Sequence, residues 1–101
     1  MAVHTPHPRD LYASDPQKII FEAKVAKGSV TARVREAVGQ LFWYRYKYGP
    51  RDADLCVLLD KKPSQAIIQF VEAGLGLSIV WMNGRRMIGG SKTAATLGFL
   101  A

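Results

Sequence analysis

ADLCVLLD, residues 53–60, is a continuous apolar run with an acid near each end. A run of this length with no polar alternation is what a strand buried on both faces requires. Such a strand sits in the middle of a sheet, and both its faces need covering layers. Segments with helical patterning stand on both sides of the run in sequence. Buried strands alternating with helices give an α/β sheet.

The upstream helix runs from about Thr31 to Tyr48. Ser29 or Thr31 offers a hydroxyl cap, and Gly49-Pro50 ends it. At about 100° per residue, Val34, Ala37, Val38, Leu41 and Tyr48 share one face, which is the core stripe. Arg45 falls inside that stripe, so it needs a partner such as Asp60, or a rotated or bent helix. Downstream, Pro63-Ser64 opens a second helix through about Ala73, burying Ile67, Ile68, Phe70 and Val71. GLSIVW (76–81) is a further strand, and Asn83-Gly84 is a hairpin turn into Arg86-Met87-Ile88. Residues 89–101 have no clear pattern.

Before the long helix, DLYAS (10–14) and the stronger IIFEAKV (19–25) read as a hairpin around Asp15-Pro16. Residues 1–9, with two prolines and His4 and His7, read as an extended arm. The expected order is β-β-α-β-α-β with a small final hairpin, in a small mixed sheet. At 101 residues the chain is expected to be one domain, 1–101, with a single core. No apolar run approaches the roughly 20 residues of a membrane span, and MAVHTPHPRD lacks the apolar core of a signal peptide. With a single cysteine, Cys56, no internal disulfide forms; a cytoplasmic setting is expected.

The net charge of +6 is concentrated. Lys24, Lys27, Arg33, Arg35, Arg45, Lys47 and Arg51 lie in one segment with a single acid, Glu36, and the rest of the chain sums to zero. A concentrated basic segment suits a polyanion such as nucleic acid; the plain alternative is a solvated helix face.

Strand alternation puts Ile20, Glu22 and Lys24 on one face and Ile19, Phe21, Ala23 and Val25 on the other. On this strand alone, Glu22 and Lys24 read as an exposed polar face. A hairpin loop of odd length, such as Asp15-Pro16-Gln17, sets Asp10 directly across from Glu22, with Cβ atoms about 4.5–5.5 Å apart. Two carboxylates so placed repel unless a cation intervenes, and they suit a hard divalent ion. An even loop sends Asp10 to the opposite face. On the long helix, Gln40 and Tyr44 are one turn apart, with Arg33, Glu36 and Lys47 near the same edge.

Asp10, then Glu22-x-Lys24, then Gln40-x-x-x-Tyr44 resembles the PD-(D/E)XK nuclease superfamily, in its RecB-type and lambda-exonuclease-like branch. The resemblance covers about residues 8–62. Two departures stand out: Arg9 precedes Asp10 where the motif has proline, and the helix that normally begins this restriction-endonuclease-like core is missing or shortened. The resemblance implies a metal-dependent nuclease hydrolysing DNA phosphodiesters. Asp10, Glu22 and the backbone carbonyl of Ala23 would hold Mg²⁺ or Mn²⁺. Lys24 would stabilise developing negative charge, with Gln40 and Tyr44 beside the phosphate. Lys27, Arg33, Arg35 and Lys47 would track the DNA backbone. The alternative is the same fold without chemistry, binding nucleic acid or assembling a larger complex. Trp43 and Tyr46 point away from the core stripe and suggest an interface with a second copy or another chain, or base stacking. Cys56 reads as core.

Overall fold

The computed structural model describes residues 3–4, 11–13 and 19–97. The chain forms a small mixed α/β structure around one sheet. Its elements, in order, are β1 (Val3–His4), β2 (Leu11–Ala13), β3 (Ile19–Lys24), α1 (Val30–Tyr48), β4 (Asp54–Leu59), α2 (Gln65–Gln69), β5 (Ser78–Asn83), β6 (Arg86–Gly89) and α3 (Ser91–Leu97). The strands lie in sheet order β1-β2-β3-β4-β5-β6. β3, β4 and β5 are parallel, joined through α1 and α2, while β1, β2 and β6 pair antiparallel with their neighbours.

β4 occupies the centre, as its composition requires. One face carries Ile20, Leu55, Val57, Leu59, Ile79 and Trp81, packed against Val34, Ala37 and Leu41 of α1 and Ile68 of α2. The other face carries Ile19, Phe21, Cys56 and Val80, with Met87 and Ala94 against them. Cys56 is fully buried, and burial pushes its thiol pKa far up, with the charges of Asp54 and Glu72 adding.

The ends of α1 are set by local chemistry. Ser29 Oγ accepts the Ala32 N–H at 3.2 Å, as an N-cap does. Gly49, at φ +67°, closes the helix with its N–H on the Arg45 carbonyl at 3.0 Å. Tyr48 departs from the expected stripe: it is 45% exposed, because the last turn runs past the buried arc that Val34, Ala37 and Leu41 define. Arg45 reaches no carboxylate among the described residues. Its Nη1 donates to the Ala53 carbonyl at 3.0 Å, and its guanidinium lies 5.2 Å from the Phe42 ring centroid. Asp60 is engaged elsewhere, accepting the Ala26 N–H on Oδ1 at 2.7 Å.

Four further expectations change. Residues 1–9 are not wholly an arm, since Val3 and His4 pair with Ala13 and Tyr12. The second helix, capped by Ser64, passes at Phe70 into a wide turn over Phe70–Gly74, where the Leu75 N–H bonds the Phe70 carbonyl five residues back. The buried arc is thereby turned toward Glu72, and Phe70 is left 48% exposed. In the β5–β6 hairpin Asn83 pairs with Arg86, so the two-residue loop is Gly84-Arg85, with Gly84 at φ +64°. The segment from Gly89 is patterned after all: β6 ends at Gly89 and α3 follows. Among the described residues no helix is long and apolar enough to cross a membrane.

Candidate functional site

β3 presents Ile20, Glu22 and Lys24 to the α1 side of the sheet. Ile20 belongs to the core under α1, so two residues on, Glu22 is carried under the helix as well. It is 3% exposed. The reading of Glu22 and Lys24 as a solvated strand face is therefore overturned at Glu22. A carboxylate is buried at this cost only with compensating charge or hydrogen bonds. Lys24 supplies part of it, with Nζ 3.8 Å from Glu22 Oε2.

The same ammonium lies 3.9 Å from Oε1 of Glu36 on α1. Glu36 Oε2 in turn accepts from Arg33 Nη2 at 2.8 Å, one turn back on the helix. Lys24 thus stands between two carboxylates, one from the strand and one from the helix. This is where the polar edge of α1 meets the sheet. Glu36 was legible only as a neighbour on that edge. Its place beside Lys24 depends on how α1 docks, which no local pattern encodes.

Gln40 is half-buried on the same edge. Its Oε1 is shielded from solvent and has no hydrogen-bond partner among the described residues. Tyr44, one turn further on, is also half-buried. Ala23 lies between the two charged residues, with its side chain on the opposite face and its backbone paired in register with Leu58. Lys27, Arg35 and Lys47 are exposed, whereas Arg33 is committed to Glu36.

Asp10 lies outside the described residues. The ladder beside it is described: Leu11 pairs with Phe21, Tyr12 with Ile20 and Ala13 with Ile19. This is the register that an odd hairpin loop produces, and the one that the pairing of Asp10 with Glu22 requires. Among the described residues, no three His, Cys, Asp or Glu side chains are grouped to hold a metal ion.

A second buried carboxylate went unseen in the sequence. Glu72, 7% exposed, accepts on Oε2 from the Thr93 N–H at 2.8 Å and from the Thr93 hydroxyl. Thr93 Oγ1 itself accepts the Ile79 N–H at 2.8 Å, just beyond the last β5–β6 pair, Val80↔Gly89. Gly90 makes the approach possible, since a Cβ there would fall on the Glu72 carboxylate. Lys92 Nζ closes the cluster on the Glu72 carbonyl at 2.9 Å. Among the described residues, the contacts of this group all go to the fold itself: it ties α3 to the end of β5.

No family model, curated protein or solved structure matches this chain.

Proposed function

We propose that the chain is a metal-dependent nuclease that hydrolyses DNA phosphodiester bonds, built on a restriction-endonuclease-like core. The observation that carries this reading is the buried Glu22 with the half-buried Lys24 beside it, where β3 meets α1. The register of β2 against β3 supports it.

The donors fit a hard cation. Asp10 and Glu22 offer carboxylates and Ala23 a carbonyl, all oxygen, as Mg²⁺ and Mn²⁺ prefer. Bound there, the ion would polarise the phosphate and acidify an attacking water. Lys24 stabilises charge growing on the phosphate oxygens. Glu36 holds the ammonium from the far side, and Arg33 holds Glu36. Gln40 accepts from a water or a substrate donor, and Tyr44 borders it; the buried, unpartnered Gln40 oxygen among the described residues supports this. Lys27, Arg35 and Lys47 bind phosphates along the strand, with affinity falling as salt rises. Cytoplasmic residence accords with the single, buried thiol.

A specific observation favours a second reading, a nucleic-acid-binding module of the same fold without chemistry. Lys24 lies between Glu22 and Glu36, so its charge is already partly neutralised. Cleavage separates the two. Labelled duplex and single strand are incubated with increasing Mn²⁺, using wild type, Glu22→Ala and Lys24→Ala. We expect metal-dependent cleavage that falls at least about a hundredfold in each variant. Wild type that binds DNA yet never cleaves it establishes the module instead. Cleavage indifferent to both substitutions removes the site.

A further inference from the structure

The C-terminal half of α1 leaves three aromatic rings exposed: Phe42 at 39%, Trp43 at 53% and Tyr46 at 76%. None is needed to cover the sheet, because Leu41 already does so. They are interleaved with cations. Lys47 Nζ stands 5.5 Å from the centroid of Trp43, and the Arg45 guanidinium 5.2 Å from that of Phe42. Phe42, Arg45, Tyr46 and Arg51 line an open cleft of about 290 Å³. From Gly39 to Arg51 the chain carries three cations and no acid.

Gly39 adds an independent clue. It sits in mid-helix and is exposed, where glycine weakens a helix relative to alanine. Nothing among the described residues asks for it, since a Cβ there would meet none of their atoms within 4 Å. Phe42 and Trp43 follow it by three and four positions, so the missing side chain opens a flat floor beside the rings. A bare backbone next to exposed rings suits a flat ligand that approaches closely.

We infer that this face of α1 is a stacking platform for single-stranded nucleic acid, with bases on Trp43, Tyr46 and Phe42 and phosphates on Lys47 and Arg51. Arg45 is the fixed member: its bond to the Ala53 carbonyl anchors the guanidinium against Phe42. Single strands are the matching class because ring faces can be used only by bases that are not already stacked in a duplex. The charge selects a polyanion over a protein partner, which would have to desolvate three cations to cover the rings. The inference concerns binding and does not depend on cleavage by Glu22 and Lys24.

The test is carried out in EDTA, which removes cleavage from the readout. A labelled oligothymidylate, a mixed-sequence duplex and inorganic polyphosphate are titrated with wild type, Trp43→Ala and Gly39→Ala, with sedimentation run in parallel. Oligothymidylate is expected to bind more tightly than duplex and to quench Trp43 emission, with the buried Trp81 as background. Trp43→Ala should weaken oligothymidylate roughly tenfold and leave polyphosphate nearly unchanged. Gly39→Ala should melt at a higher temperature than wild type yet bind the oligonucleotide less well. Equal losses for oligothymidylate and polyphosphate would reduce the face to a charge patch and overturn the proposal. So would a preference for duplex, or a wild-type dimer that Trp43→Ala converts to monomer without any oligonucleotide binding.

Discussion

Glu22 and Glu72 are both buried carboxylates, at 3% and 7% exposure, one on β3 and the other in the turn before β5. Their surroundings differ in kind. Glu72 accepts from a backbone N–H at 2.8 Å and also from a threonine hydroxyl, both at the start of α3, and Gly90 leaves room for it. Its charge faces the positive end of a short helix, and its neighbours are fixed by the chain. Glu22 faces a lysine at 3.8 Å, and that lysine is shared with Glu36 and is itself 21% exposed. An ammonium on a four-carbon stem can shift to meet a substrate; a backbone amide cannot. Burial of an acid therefore does not mark a reactive site. Glu22 differs in that a movable cation with access to solvent is among its partners.

The comparison breaks if the two acids respond alike to removal. The largest stability effect is expected at Glu72. Glu72→Ala leaves the Thr93 N–H and hydroxyl without their acceptor and loosens the hold on the Ile79 N–H, costing about 3 kcal/mol. Chemical denaturation reads this directly, and a loss below about 1 kcal/mol would show that the cluster is not what ties α3 to β5. Glu22→Gln sharpens the other side. It keeps the shape and removes the charge, so stability should stay within about 1 kcal/mol of wild type, while DNA cleavage falls by roughly a hundredfold or more. A variant as destabilised as Glu72→Ala would make Glu22 a structural acid.

These two acids also mark where the sequence is readable. Glu22 and Lys24 share a face by the period of two, and Ile20 on the same face shows which side the core lies on. β4 could be read because its apolar run had no alternation, and α1 because Ser29 and Gly49 bracket an apolar stripe. Glu72 escaped because the wide turn over Phe70–Gly74 breaks the 3.6-residue period, moving Glu72 inward and Phe70 outward. α3, SKTAATL, escaped because small and polar residues have no amphipathic stripe; its hold on the sheet comes through Thr93. Val3–His4 is too short for a pattern, and its strand character exists only through pairing with β2. The Arg45 contact was hidden for a similar reason: its acceptor is a carbonyl, and carbonyls have no residue type to read.

Glu36 gives the smallest and most discriminating change. Its carboxylate is 48% exposed and Arg33 is 37% exposed, so their 2.8 Å pair is worth little to the fold. Glu36→Gln should shift stability by no more than about 0.5 kcal/mol. Lys24, however, loses one of the two carboxylates beside it among the described residues and keeps Glu22. Held there, the ammonium competes more strongly for the oxygens that a divalent ion needs. The Mn²⁺ concentration for half-maximal cleavage should then rise severalfold, with little change in the rate at saturating metal. Had Glu36 instead served as a ligand itself, the saturated rate would fall along with the affinity. The separation of those two numbers decides whether the helix acid acts on the metal or only on the lysine between them.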